Sequence, residues 1–76
     1  MTEVALMRRF GSNLKKLLDY CNMSQKELSL DTDITESTIS CYIRGERMPS
    51  LKNIINIMYA IECEFEDLID INEPII

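Results

Sequence analysis

The sequence predicts a single all-α domain built from five short helices. Its 76 residues are enough for one small domain with one modest core. Only two glycines and two prolines are present, so little of the chain is available for turns. Eleven isoleucines and eight leucines against one valine favour aliphatic packing between helices. The apolar residues recur at three-and-four spacing, which is typical of helices, and almost no segment shows the alternation expected of a strand.

The composition argues against an enzyme, a metal site and a membrane protein. The chain contains no histidine, which removes the commonest general base and the commonest metal ligand. Cys21, Cys41 and Cys63 form no C-x-x-C pair, so we expect free thiols, no metal and no cofactor. No apolar run approaches the roughly 20 residues of a membrane span. The first residues lack the features of a signal peptide, which predicts a cytoplasmic location.

The charge is divided unevenly along the chain. Residues 1–52 hold all eight basic residues and seven acidic ones, whereas residues 53–76 hold six acidic residues and no basic one. The net charge is −5. An anionic partner is therefore expected to meet the first two thirds of the chain.

Apolar spacing and capping residues define the first two helices. The first runs from near Thr2 to Cys21 along an apolar stripe and breaks at Asn22. The second begins with a capping box, in which the Ser24 hydroxyl and the Glu27 carboxylate each accept a backbone N–H of the other residue, and it ends near Thr32.

The third helix has equally clear boundaries. Thr35 is its predicted N-cap, and Ile34 and Ile39 occupy the positions of a hydrophobic staple. Arg44 falls in the last turn, where a cation suits the helix dipole, and Gly45 is placed for a left-handed C-terminal cap.

The remaining helices begin at Ser50 and Glu64. Ser50 is a good capping residue, whereas Glu64 is a poor one. The predicted apolar faces comprise Ile54, Ile55, Met58 and Ile61 on the fourth helix and Phe65, Leu68 and Ile69 on the fifth.

The second and third helices, with the three-residue turn between them, form a helix-turn-helix. The stretches S-Q-K-E-L (24–28), I-T-E-S-T-I-S (34–40) and R-G-E-R-M-P-S (44–50) resemble the Cro and lambda-repressor family of DNA-binding regulators. The resemblance covers roughly residues 8–70. It implies a five-helix, lambda-repressor-like DNA-binding domain over residues 1–70, with residues 71–76 as a C-terminal tail.

The resemblance also implies a function and a set of contacts. A transcriptional regulator of this family, expected to be a repressor of bacterial or phage origin, binds double-stranded operator DNA as a homodimer through a recognition helix, here 35–44, in the major groove. The candidates for base reading are Glu36, Ser37, Ser40 and Cys41. The candidates for phosphate contact are Gln25, Lys26, Thr35, Thr38, Arg44 and Arg47.

The sequence departs from the family pattern in three ways. Asp33 occupies the turn position that the family usually fills with glycine, and Asp tolerates left-handed backbone better than most residues. Leu18 and Ile43 replace a common Arg–Glu pair, which leaves the fold intact because both charges are absent together. Glu36 puts an acid at a base-reading position, where it can accept from a cytosine amino group or weaken approach to phosphate.

The net charge leaves a second interpretation open. A helix-turn-helix scaffold of charge −5 is also expected of a protein-interaction module, such as an antirepressor or an antitoxin-type partner, with weak or no DNA binding. A gel shift at several salt concentrations separates the two, because phosphate contacts make the affinity fall with salt.

Further expectations concern the tail and the thiols. Ile71, Ile75 and Ile76 predict a dimer interface near the C-terminus, with a frayed tail as the alternative for the last two. Cys21 and Cys63 end apolar stripes and are expected to be buried. Cys41 is expected to lie on the outward side of the recognition helix, to react first with an alkylating reagent and to be protected by DNA, with burial of its thiol as the alternative.

Overall fold

A computed structural model describes residues 1–70 and confirms the all-α fold, with five helices and no strand in that range. The expectation for Ile71, Ile75 and Ile76 lies outside the described residues. None of the described helices is both long enough and apolar enough to cross a membrane. The helices are α1 Glu3–Tyr20, α2 Gln25–Thr32, α3 Glu36–Ile43, α4 Leu51–Ile61 and α5 Phe65–Ile69.

Side-chain caps start four of the helices, and three of these were predicted as caps by residue type. The hydroxyl oxygens of Thr2, Ser24, Thr35 and Ser50 each accept the backbone N–H three residues ahead, at 3.0–3.1 Å. Each bond satisfies one N–H that a helix start otherwise leaves without a partner. At the start of α5 the Asp67 carboxylate accepts the Glu64 N–H at 2.9 Å, so the predicted weak N-cap is supported from within the helix.

The turn between α2 and α3 keeps its geometry without a glycine. Asp33 has φ +61° and ends α2 in a left-handed conformation, as its tolerance of that region predicted. The Ser29 hydroxyl donates to the Ile34 carbonyl at 2.6 Å, and the Thr32 hydroxyl accepts the Ile34 N–H at 3.3 Å. These bonds fix the angle at which α3 leaves α2.

Gly45 ends α3 in the predicted left-handed cap, with φ +71°. The Gly45 N–H donates to the Tyr42 carbonyl at 3.0 Å, and the Glu46 N–H donates to the Cys41 carbonyl at 2.9 Å. This pair of bonds is a Schellman motif, which turns the chain back along the end of the helix.

The core is built from residues of all five helices and of the turn between α2 and α3. Helix α1 packs against α3 and α5, and α2 packs against α3 and α4. Arg9 and Asn13 on α1 also donate to the carbonyls of Asp70 and Leu68 at 3.0 and 2.8 Å, which ties the end of α5 to α1. The buried apolar residues are Phe10, Leu14, Leu18, Leu28, Ile34, Ile39, Tyr42, Ile57, Ile61, Leu68 and Ile69.

The predicted apolar face of α4 is wrong at one position. Ile57 is fully buried, whereas Ile55, which was expected in the core, is 42% exposed. The segment 54–58 holds four large apolar residues among five, so apolar spacing alone does not select its buried side. Ile61 is buried as predicted, and Ile54 and Met58 pack partly buried against the core. On α5, Leu68 and Ile69 are buried and Phe65 is 37% exposed.

The burial predicted for Cys21 is also wrong, because this residue is exposed. It lies one residue past the end of α1, where Asn22 adopts φ +55° and the chain turns away from the helix. An apolar stripe that continues into a helix cap no longer faces the core, since the helical period ends there. Cys63 is half-buried, so its predicted burial is only partly met.

Gly11 allows α1 and α3 to approach each other through their backbones. A Cβ at this position would lie 2.2 Å from the Tyr42 carbonyl oxygen and 2.7 Å from the Ile43 carbonyl oxygen. Both distances are far inside van der Waals contact. Beside it, Phe10 meets Tyr42 edge-to-face, with ring centroids 5.7 Å apart and an interplanar angle of 81°.

Replacing Gly11 with alanine should therefore destabilise the fold and displace α3. We expect Gly11→Ala to lower the free energy of unfolding by about 3 kcal/mol, as measured by urea denaturation, because neither backbone carbonyl can move without shifting its helix. Ser12→Ala, at the exposed neighbouring position, is the control and should stay within about 0.5 kcal/mol of the parent. Equal stability of the two variants would contradict the close approach.

Candidate nucleic-acid interface

The four base-reading candidates share the outward side of α3. Glu36 and Ser37, in the first turn, are exposed, and Ser40 and Cys41, one turn later, are half-buried. The opposite side of the helix is closed, because Ile39 and Tyr42 are buried in the core. Helix α3 therefore presents small or acidic polar groups to solvent over its whole length.

Hydrogen bonds that involve two threonines connect Arg47 to the start of α3. The Thr35 hydroxyl accepts the Thr38 N–H at 3.1 Å and lies 2.8 Å from the Thr38 hydroxyl. The Arg47 guanidinium donates to the Thr38 hydroxyl at 3.5 Å. Three phosphate candidates that are up to twelve positions apart in sequence thus form one exposed cluster of hydroxyls and one cation.

Arg44 is held differently, at the other end of the same helix. Its Nε atom lies 3.1 Å from the Glu46 carboxylate. Its terminal nitrogens contact the Ser40 hydroxyl and, at 3.5 Å, the Cys41 sulfur. The guanidinium therefore lies across two base-reading candidates instead of extending freely into solvent.

The α2 N-terminus supplies the remaining phosphate candidates. The capping box binds the N–H groups of Ser24 and Glu27 at 3.2 and 3.0 Å. The first-turn N–H groups of Gln25 and Lys26 take part in neither bond, and they lie at the positive end of the helix dipole. The Gln25 side chain is half-buried and the Lys26 side chain is exposed.

The structure joins most of the predicted residues but not all of them. Side-chain contacts link Thr35, Thr38 and Arg47 into one cluster and Ser40, Cys41 and Arg44 into another. Within residues 1–70, no side-chain hydrogen bond connects Gln25 or Lys26 to α3, so the α2–α3 turn and the packing of α2 against α3 set their position relative to it.

Two residues with a role around α3 were missed by the sequence analysis. Glu46 pairs with Arg44, and Asn53 on α4 donates to the buried Tyr42 hydroxyl at 2.8 Å. The predicted left-handed cap at Gly45 could have pointed to Glu46, because a Schellman motif folds the residue after the left-handed glycine back beside the helix. No comparable local signal marks Asn53, which is eleven residues from its partner.

The other ionisable groups of residues 1–70 form no cluster suited to metal binding. Among residues 1–70, no group of three or more Cys, Asp or Glu side chains is placed to hold a metal ion. Burial and, after it, the Asp67 carboxylate raise the pKa of the Cys63 thiol. A raised thiol pKa lowers the fraction of reactive thiolate at neutral pH.

The chain is similar to known DNA-binding proteins. Residues 13–74 match the family model of the Cro/C1-type HTH DNA-binding domain. The control protein C.BamHI of Bacillus amyloliquefaciens is 37% identical over 62 residues, which cover 80% of this chain and 76% of that protein. The crystal structure of the restriction-modification controller protein C.AhdI from Aeromonas hydrophila superimposes with a TM-score of 0.78 at 29% identity, over 82% of this chain and 94% of that one.

The matched region contains the whole of α2, α3 and α4 and both clusters around the recognition helix. The chain belongs to the Cro/C1-type helix-turn-helix family and is a DNA-binding transcriptional regulator.

Proposed function

We propose that this regulator is a repressor that binds an operator as a homodimer, with α3 of each copy in the major groove. The observation that carries the proposal is the exposed polar side of α3, flanked by the Arg47 cluster at its start and by Arg44 at its end. It acts by binding alone, without catalysis, in the cytoplasm of a bacterial or phage-infected cell. Because both relatives are named as control proteins, we further propose that it controls genes of a restriction-modification system.

The contacts divide into two kinds. Glu36, Ser37, Ser40 and Cys41 face the base edges, where sequence is read. Gln25, Lys26, Thr35, Thr38 and Arg47 face the phosphates, which position the protein without reading sequence. The half-buried Gln25 side chain and the two free N–H groups at the α2 N-terminus form the kind of site that binds a phosphate.

A salt-dependent gel shift tests this interface directly. A duplex selected from a random pool by the protein itself serves as operator, and a random-sequence duplex of equal length serves as competitor. The logarithm of the affinity should fall linearly with the logarithm of the salt concentration, and the selected duplex should bind at least about a thousandfold tighter.

Arg47→Ala should weaken binding to both duplexes by a similar factor and reduce the salt slope by about 1, because one phosphate contact is lost. The measurement is a salt titration of both duplexes. Lys15→Ala removes the same charge from an exposed lysine that already pairs with Asp19 at 2.7 Å, and it should leave the slope unchanged. An Arg47→Ala protein with the parent's slope would remove Arg47 from the phosphate-binding set.

The thiols test the orientation of α3. The sequence suggested that Cys41 reacts first with an alkylating reagent, but Cys21 is exposed and Cys41 is half-buried, so we now expect Cys21 to react first and Cys41 more slowly. Cys63 should react last because burial and Asp67 raise its pKa. Labelling of Cys63 should rise only at a higher pH than that of free cysteine in the same assay. Bound operator should protect Cys41 and leave Cys21 reactive, as read site by site by mass spectrometry. If operator left the labelling rate of Cys41 unchanged, α3 would not face the groove through this side.

The homodimer is supported by an apolar stripe on α4. Leu51, Ile55 and Tyr59 are 71%, 42% and 80% exposed and follow one another at four-residue intervals, so they share one side of the helix. Beside them an open groove of about 580 Å³ is bounded by both apolar and acidic side chains of the α4–α5 region. Exposed apolar clusters of this kind mark interfaces, and we place a second copy of the chain here.

Tyr59→Glu should shift the protein from dimer to monomer, because each copy would place a new charge in the apolar contact. Sedimentation equilibrium across a concentration series measures the shift, and a weakening of at least about tenfold is expected. Leu30→Glu makes the same kind of change on α2, at a leucine that is 76% exposed, and it should leave the dimer intact. Equal effects of the two substitutions would place the interface elsewhere.

A further inference from the structure

Arg44 and Arg47 flank the same recognition helix, but only Arg44 has a carboxylate partner among residues 1–70. Arg47 contacts a hydroxyl at 3.5 Å. The side chains of Arg44 and Glu46 remain 52% and 56% exposed, so DNA can approach the pair. The two arginines therefore carry the same charge but have different contacts in the protein without DNA.

The backbone explains why Glu46 reaches Arg44. The left-handed Gly45 and the bond from the Glu46 N–H to the Cys41 carbonyl fold residue 46 back against the last turn of α3. The Glu46 carboxylate then lies 3.1 Å from Nε, the inner nitrogen of the guanidinium, and forms an ion pair with it. With Nε held, the plane of the group is directed along Ser40 and Cys41.

We propose that Glu46 is a specificity-determining positioning residue: it holds Arg44 beside Ser40 and Cys41, so that Arg44 contacts base edges and not phosphate. The inference rests on the proposed DNA interface. It differs from the sequence-based expectation, in which Arg44 was a phosphate contact.

The chemistry of the Arg44–Glu46 pair favours contact with the hydrogen-bond acceptors on the major-groove edge of a purine. A guanidinium whose terminal nitrogens face the groove can donate to the O6 and N7 atoms of guanine, the commonest specific contact in the major groove. The carboxylate of Glu46 at the same time repels nearby phosphates, which lowers binding to DNA of any sequence. Both effects raise the ratio of specific to non-specific affinity.

Two substitutions separate the charge of Glu46 from the presence of its side-chain oxygen beside Arg44. Glu46→Gln and Glu46→Ala both remove the negative charge, so both should raise the affinity for a random-sequence duplex by about twofold to fivefold. Only Glu46→Ala also removes the side-chain oxygen beside Nε. We define the affinity ratio as the affinity for the duplex selected by the parent protein divided by the affinity for the random duplex. This ratio should be about threefold to fivefold lower for Glu46→Ala than for Glu46→Gln.

The dependence on Arg44 is tested in the same assay. Arg44→Ala should lower the affinity ratio by about tenfold, with guanine preference lost at one position of a new selection. In an Arg44→Ala background the difference between Glu46→Ala and Glu46→Gln should vanish. Glu66→Gln, an equal charge change at an exposed position of α5, should leave the ratio unchanged, and equal thermal unfolding temperatures confirm that all variants are folded.

Three results would overturn the proposal. They are equal affinity ratios for Glu46→Ala and Glu46→Gln, a difference between them that persists without Arg44, and an Arg44→Ala protein that loses affinity for both duplexes equally. Each of these leaves the proposed function intact, provided that the parent protein binds its selected duplex. If the parent protein binds neither duplex, the proposed function itself fails.

Discussion

The close approach of α1 to the end of α3 is the constraint on which the rest of the structure depends. Both glycines of the chain lie at this contact. Gly11 admits the carbonyls of Tyr42 and Ile43, and a Cβ on Gly45 would lie 3.2 Å from the Cα of Arg8. Because backbone meets backbone here, the recognition helix has little freedom to rotate or slide against α1. Its outward side is therefore set by packing on the opposite side, where Ile39 and Tyr42 enter the core.

Helix α4 connects α3 to the exposed apolar stripe formed by Leu51, Ile55 and Tyr59. Its inner side buries Ile57, and Asn53 donates to the Tyr42 hydroxyl, which satisfies the polar end of a buried ring. Its outer side presents the stripe proposed as the dimer interface. One helix thus contacts α3 on one side and carries the proposed dimer interface on the other. In the proposed dimer, the spacing of the two copies of α3 on DNA depends on this single helix.

The net charge of −5 is unevenly distributed over the chain. The basic residues all precede residue 53, and the acids of α5 lie on an element that packs against α1. Around α3, Glu36 and Glu46 accompany Arg44 and Arg47. In the proposed interface, acidic groups at these positions weaken attraction to phosphate in general, so base contacts supply a larger share of the binding free energy.

The sequence by itself determined the helix boundaries and the helix-turn-helix, because caps and turns depend on residues within about five positions of each other. Ser24 with Glu27, Thr35 and Ser50 begin helices, and Asp33 and Gly45 turn the chain, through bonds that local spacing specifies. Only the tertiary structure decided that Ile57 and not Ile55 is buried, that Cys21 is exposed, and that Tyr42 pairs with Asn53. Those outcomes depend on which neighbouring helix covers each side, and no residue type within one turn specifies that choice.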